Sequence, residues 1–235
     1  MNKAPKGGAF LLGFLISLVS FADGCLGTVS EAACPPPSQF HQGWNANASI
    51  YYQSTGFTSQ ESDQIGGGGA LGSWNFHNSV PPVLNCSNVS FLAAPPAGQY
   101  TVTAANDQDA ETPSACATTA YNAMSFGKLV AATTTFHWAA IRSNGSPSWN
   151  RDPNSSDYYT FIRKVMLHEA GHTMGLGEIP DSQQVAGQSV MNKYSGTNDS
   201  ANNQPTDVQP CDDSSVNSIL QYANNCGIDR RGRVV

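Results

Sequence analysis

Two histidines and two glutamates stand close together in the segment LHEAGHTMGLGE (167–178). His168 and His172 are four residues apart, so on a helix they project from one face with Cβ atoms about 5–6 Å apart. Imidazoles at that spacing can both reach one metal ion at roughly 2.0–2.1 Å. Glu169 would lie beside the ion, where it could take a proton from a metal-bound water and pass it to a leaving amine. The spacing predicts a zinc site with Glu169 as its general base.

The competing interpretation of this segment is a chance pattern in a helix that buries two structural histidines. Glu169 argues against that interpretation, because an inert core has no reason to hold a carboxylate, which is costly to bury without a partner.

The same residues carry a family resemblance. HEAGHTMGLGE (168–178) resembles the HExxHxxGxxH signature of the metzincin zinc endopeptidases. Further along the chain, Met191 in QSVMN (188–192) resembles the methionine-containing turn beneath the metal in that family, although a plain core methionine is the alternative. A weaker likeness spans residues 43–223. The resemblance implies an α+β fold with a twisted, mostly parallel sheet, a zinc helix, and an irregular C-terminal subdomain that carries the Met-turn.

The third metal ligand is where this chain departs from the family pattern. The resemblance places that ligand at Glu178, where relatives have histidine or, in some cases, aspartate. Gly175 lets the chain leave the helix and curl back, and a carboxylate oxygen can bind zinc at about 2.0–2.2 Å. The alternatives are Asp181 and three distant histidines, namely His41, His77 and His137.

Two further residues have roles that the resemblance suggests. Some relatives carry a tyrosine near the metal, two residues after the turn methionine. Here that position is Lys193, and Tyr194 follows it as a candidate oxyanion helper. Cys34 could cap the zinc in a latent form, but we expect it to be in a disulfide.

The elements that would position these residues can be read from composition and periodicity. Strands are predicted over 48–53, 88–94, 99–105 and 128–138. The zinc helix should begin near Ser156 or Asp157 and end at Gly175, and a last helix should run from Ser214 to Ala223. Four consecutive glycines favour a loop within 56–76, whereas the resemblance runs a helix through them. An edge strand within Ala131–Trp138 would pair with an extended substrate.

The N-terminus has the order of an export signal. Lys3 and Lys6 precede an apolar run over 9–21, and small residues follow near Ala22. We expect a signal peptide over 1–22, an N-terminal arm over 23–42, a metalloprotease domain over 43–226 and a tail over 227–235. Secretion follows from this reading. The rival is a lipid anchor on Cys25, although Asp23 fits a lipobox poorly.

Six cysteines are consistent with export, because an even count in an exported chain suggests disulfides. Six cysteines allow 15 pairings. Pairing between sequence neighbours gives Cys25–Cys34, Cys86–Cys116 and Cys211–Cys226. No CxxC pair occurs, so a cysteine metal site is not expected.

Composition limits the partners. A formal net charge of −6 and only 12% charged residues argue against nucleic acid. The apolar run near the N-terminus is too short for an ordinary membrane span, and no later stretch could cross a membrane. The loop NDQDAE (106–111) alternates oxygen ligands as calcium loops do, but a solvated acidic loop is preferred over a Ca²⁺ site.

The sequence therefore predicts a secreted, monomeric zinc endopeptidase that acts on a peptide or protein substrate. The alternatives are an inactive zinc-binding protein that holds peptides or glycans, a structural protein with a fortuitous motif, and a zinc hydrolase of non-peptide bonds.

Overall fold

The computed structural model describes residues 34–45, 48–79, 89–93, 98–105, 117–137, 158–192 and 204–224. All of them lie in the unit Ala32–Val235. The strands are β1 Ser49–Thr55, β2 Ser90–Ala93, β3 Tyr100–Ala105, β4 Ala117–Ser125 and β5 Lys128–His137. The helices are α1 Ser59–Ile65, α2 Ala70–Ser79, α3 Tyr158–Thr173 and α4 Pro210–Asn224, and a 3₁₀ turn covers Asp181–Gln183. The expected signal peptide over 1–22 lies outside the described residues.

The five strands form one sheet in the order β2-β1-β3-β5-β4. The first four strands in that order run parallel, and β4 is antiparallel to β5. A mostly parallel sheet with helices packed on it agrees with the α+β class predicted from the sequence.

The predicted substrate edge within Ala131–Trp138 is wrong. In β5, Thr134 pairs with Val102 of β3 on one side and with Thr119 of β4 on the other. The strand β4, which the sequence analysis did not predict, covers β5 and forms the edge of the sheet instead. Its sequence ATTAYNAMS contains few large apolar residues, and most of its residues are at least partly exposed, so the usual strand signal is weak.

The glycine run separates two helices, so the continuous helix implied by the resemblance is wrong. Helix α1 ends at Ile65 and α2 begins at Ala70, and the four glycines (66–69) form the turn between them. The start of α1 is fixed by a capping box, in which Thr58 and Glu61 exchange side-chain-to-backbone hydrogen bonds. The low helix propensity of glycine therefore predicted the structure of residues 66–69 correctly, and the residues on either side of them are helical.

Two buried tryptophans attach α3 to the rest of the core. Trp74 of α2 donates its indole N–H to the carbonyl of Leu167 at 3.2 Å, and Trp44 donates to the Thr173 hydroxyl at 3.1 Å. Both rings are almost completely buried. Because the two indoles contact α3 from different parts of the chain, the helix that carries the two histidines is held in place near its C-terminal end.

The disulfide found among the described residues joins Cys34 to Cys211, at the start of α4. The predicted pairs Cys25–Cys34 and Cys211–Cys226 are therefore wrong, because proximity along the chain did not decide the pairing. The remaining cysteines (Cys25, Cys86, Cys116 and Cys226) lie outside the described residues. In the described part of the chain, no helix is both long and apolar enough to cross a membrane.

Candidate metal centre

The chain reverses direction directly after the second histidine. Helix α3 ends at Thr173, and Gly175 adopts a φ of +93°, which glycine tolerates at low cost. A Cβ on Gly175 would lie 2.8 Å from the backbone nitrogen of Gly43, so the close approach also requires glycine. Leu176 N–H then bonds back to the Gly171 carbonyl at 3.1 Å. This reversal brings Glu178 back towards the helix.

His168, His172 and Glu178 form a cluster that could hold a metal ion. One ligand atom from each lies within 4.8 Å of the other two. Metal bonds of 2.0–2.2 Å at tetrahedral angles need ligand atoms roughly 3.3–3.6 Å apart, so modest side-chain adjustment would close the set around an ion. His168 is buried, His172 is half-buried and Glu178 is exposed, so the cluster opens to solvent on the glutamate side.

Backbone carbonyls fix the orientation of both imidazoles. Nδ1 of His168 lies 2.8 Å from the carbonyl oxygen of Val190, and Nδ1 of His172 lies 3.1 Å from that of Leu176. A carbonyl can only accept, so each Nδ1 carries the proton and each neutral ring has its lone pair on Nε2. This tautomer is the one that suits a metal ligand whose other nitrogen is held by an outer partner.

The electrostatics of His168 also favour the neutral ring. Burial and, to a lesser extent, the neighbouring His172 lower the pKa of His168 to about 3, although the bond to the Val190 carbonyl opposes both effects. A neutral imidazole is the form that binds metals, so the site does not need to lose a proton from His168 at neutral pH.

The alternative third ligands fall into two groups. His41 and His137 are described, and neither is part of the cluster. His137 instead contacts the Thr118 hydroxyl at 2.9 Å. The side chains of His77 and Asp181 lie outside the described part of the structure, as do Tyr194 and the acidic loop over 106–111.

Glu169 lies beside the cluster in a buried position. Its Oε2 accepts a hydrogen bond of 2.6 Å from the hydroxyl of Thr119 on the edge strand. Burial raises the pKa of Glu169, whereas His172 and the Thr119 bond lower it. A raised pKa brings a carboxylate closer to the range in which it can accept and return a proton.

Met191 lies against the helix face between the two histidines. Its side chain is completely buried, and a Cβ built on Gly171 would lie only 2.3 Å from its sulfur. The N–H of Ile179 donates to the Met191 carbonyl at 3.1 Å, which ties the turn to the segment that follows Glu178. Met191 and the cluster are therefore parts of one packed unit.

A buried aspartate that the sequence analysis missed holds this turn. Asp212, in the first turn of α4, accepts from the Ser189 hydroxyl, from Val190 N–H at 3.1 Å and from Gln209 N–H at 3.0 Å. Burial raises the pKa of Asp212, and these three hydrogen bonds oppose that effect. In the sequence, the polar segment DDSS (212–215) indicates nothing beyond a possible helix start.

His41 occupies a second buried position near the site. Its Nδ1 accepts a hydrogen bond from Gly43 N–H at 2.9 Å. The centroid of its ring lies 4.1 Å from that of Tyr121, in an edge-to-face contact. Burial lowers the pKa of His41 to about 4, with smaller contributions from His172 and Lys128. The arm residues around His41 therefore pack against the edge strand.

Comparison with known proteins gives little. No protein-family model matches the chain, and no curated protein sequence matches it. One similar solved structure is described as the GM1 bound form of the ECX AB5 holotoxin, at 11% sequence identity and a TM-score of 0.47. That match covers 81% of this chain and 88% of the other. A likeness this remote carries no functional argument.

Proposed function

We propose that this protein is a secreted zinc-dependent endopeptidase of metzincin type, with His168, His172 and Glu178 as metal ligands and Glu169 as general base. The observation that carries the proposal is the convergence of the three ligand atoms within 4.8 Å next to a buried glutamate. Glu169 distinguishes this hypothesis from a zinc-binding protein without activity, because such a protein does not need a second carboxylate there.

The chemistry divides between the metal and the chain. Zinc, when bound, would polarise the scissile carbonyl and acidify a water molecule. Glu169 would accept the proton of that water and then deliver it to the leaving amine. The Val190 and Leu176 carbonyls would keep both histidines in the metal-binding tautomer, and the packed Met191 would support the floor of the site.

The edge strand β4 provides a surface for an extended peptide. Among the described strands it pairs with β5 alone, so one row of its backbone groups faces away from the sheet. Thr119 of β4 also contacts Glu169, so a peptide added along this edge would run beside the general base. Such pairing reads the peptide backbone and predicts weak sequence preference.

The test is incubation of the protein with a complex peptide library, followed by mass spectrometry with and without a chelator. We expect cleavage that the chelator abolishes and added Zn²⁺ restores. Glu169→Ala should still bind one zinc per chain but lose turnover by about 10²–10⁴-fold. Asp63→Ala, at an exposed acidic position on α1, is the matched control and should cleave like the wild type.

Two results would contradict the proposal. Full cleavage by Glu169→Ala would remove Glu169 from the chemistry. Stoichiometric zinc with no cleavage of any peptide would instead support the non-catalytic zinc-binding alternative.

A further inference from the structure

We infer that Thr119 is a positioning residue for Glu169, held in place by a hydrogen-bond chain that runs through Thr134 to Tyr100. This inference rests on the proposed function, because it assigns the two carboxylate oxygens of Glu169 different tasks.

The chain crosses three adjacent strands. Thr119 on β4 and Thr134 on β5 are direct cross-strand partners, and their hydroxyl oxygens are 2.7 Å apart. The Tyr100 hydroxyl on β3 lies 2.7 Å from the same Thr134 oxygen. At the other end, Thr119 donates to Glu169 Oε2 at 2.6 Å. Tyr100 and Thr134 are completely buried, so no water competes for their hydroxyls.

Counting donors and acceptors gives the chain one direction. A carboxylate only accepts, so the single proton of Thr119 is used on Glu169. Thr119 must then accept from Thr134, and Thr134 must accept from Tyr100. Burial raises the pKa of the Tyr100 phenol, which keeps it protonated and able to donate. Each hydroxyl thus donates towards Glu169, and aligned hydrogen bonds of this kind polarise and strengthen one another.

The consequence for Glu169 is a division between its oxygens. Within the described residues, its hydrogen bond is the one to Oε2. Glu169 is 7% exposed, and Oε1 accepts none of the hydrogen bonds found among these residues. The hydroxyl chain therefore fixes Oε2 and leaves Oε1 as the oxygen that would exchange the proton. A general base held within about 0.5 Å of its productive position works far better than a mobile one.

The competing explanation is that Thr119 and Thr134 are only a cross-strand pair that stabilises the sheet. The two explanations differ in what a serine can replace. Serine keeps the hydroxyl and loses the branched methyl group, whereas valine keeps the shape and loses the hydroxyl.

The kinetic experiment compares Thr119→Val, Thr119→Ser and Tyr100→Phe in the zinc-loaded protein, on a peptide taken from the library screen. We expect Thr119→Val to lower kcat by about 10–100-fold with little change in KM, as loss of an outer-shell partner does. Thr119→Ser should recover most of that loss, and Tyr100→Phe should give a smaller loss. Thr133→Val is the matched control, because Thr133 bonds Asn122 on the opposite face of β5 and should not affect kcat.

The second experiment needs neither zinc nor activity. Unfolding temperatures of the metal-free protein are measured for Thr119→Val, Glu169→Ala and the double variant. If the two side chains interact, the double variant should lose less than the sum of the single losses, by about 2–4 °C.

Three outcomes would overturn the inference. These are an unchanged kcat in Thr119→Val, equal loss of kcat in the serine and valine variants, and strictly additive shifts in unfolding temperature. A wild-type protein that cleaves nothing would instead refute the proposed function, and the thermal cycle would still decide whether Thr119 holds Glu169.

Discussion

Nδ1 of His168 lies 2.8 Å from the carbonyl oxygen of Val190, so the residue that precedes Met191 orients the His168 ring. The N–H of that same residue is held by Asp212 of α4 at 3.1 Å. The last helix is therefore connected to the candidate metal centre through a single residue, Val190, although no described side chain of α4 is part of the cluster. This connection gives the turn at Met191 a contact with the cluster beyond packing.

Replacing Asp212 tests this connection. Asp212→Asn removes one acceptor oxygen from a buried group that serves three donors, so at least one donor is left unsatisfied. We expect a loss of about 1–3 kcal/mol in unfolding free energy and about 10–100-fold weaker zinc binding. Denaturant titration and a competitive zinc chelator measure the two effects. Asp63→Asn, at an exposed site, is the control and should change neither quantity.

Glu178 can be tested by replacement in two directions. Glu178→Ala should weaken zinc binding strongly, because the cluster loses one of its three ligand atoms. Glu178→His should bind zinc and move the activity optimum to lower pH, since a neutral imidazole offsets none of the metal charge and the activated water becomes more acidic. Zinc titration and a pH–rate profile provide the measurements. Unchanged affinity in Glu178→Ala would place the third ligand elsewhere.

The packing of Met191 predicts an intolerant glycine. A Cβ on Gly171 would meet the Met191 sulfur at 2.3 Å and the Trp74 ring at 3.3 Å, in a region without spare space. Gly171→Ala should therefore destabilise the protein by about 1–3 kcal/mol, as overpacking does. A Cβ on Gly68 meets nothing within 4 Å, and Gly68→Ala should leave stability unchanged or raise it by up to about 1 kcal/mol. Equal effects in chemical denaturation would refute the packing argument.

The stability of the metal-free protein should fall in acid. The pKa of His41 is about 4 in the fold, below its ordinary value of 6.5. Between those values the unfolded chain binds the proton and the folded chain does not, so stability rises with pH and is lost as the pH falls from 6.5 towards 4. His168 acts in the same direction down to about pH 3.

Replacing His41 isolates its share of this effect. In His41→Gln the slope of unfolding free energy against pH should become shallower by up to about 1.4 kcal/mol per pH unit. Urea unfolding at several pH values between 4.5 and 6.5 measures it. The slope, not the absolute stability, is the readout, because the variant also loses the contact with Tyr121. An identical slope in both proteins would exclude His41 as a contributor.

The cysteine pairing has a direct test. Digestion of the unreduced protein should release one linked pair of peptides that contains Cys34 and Cys211. Removing this bond with Cys34→Ser and Cys211→Ser together should cost about 2–5 kcal/mol of stability. Linked peptides containing Cys25 with Cys34, or Cys211 with Cys226, would contradict the arrangement.

Local chemistry was a good guide for several parts of the fold. The strand predictions over QYTVTAA (99–105) and KLVAATTTFHW (128–138) located β3 and β5, and the glycines after Thr173 located the end of α3. His168, His172 and Glu178 lie together because a helix spacing and one glycine reversal decide their positions. Both signals are contained within a few residues, so the sequence alone can carry them.

The parts that sequence reasoning missed depend on partners that are distant along the chain. Thr119 has no local pattern that marks it, because its importance comes from Glu169 and Thr134 on other elements. The Cys34–Cys211 bond likewise joins two positions, 177 residues apart, that only the tertiary fold brings together. Asp212 accepts hydrogen bonds from Ser189 and Val190, directly before Met191, and no periodicity could indicate that contact.

The separation of 177 residues between Cys34 and Cys211 also has a consequence in time. A ribosome that adds about 5–20 residues per second completes Cys211 roughly 9–35 s after Cys34. During that interval Cys34 is a thiol without its native partner, while Cys25 is already present and Cys86 and Cys116 are added to the chain. Formation of the Cys34–Cys211 bond therefore requires that α4 is synthesised before Cys34 forms a wrong disulfide, or that thiol–disulfide exchange later replaces the wrong disulfide.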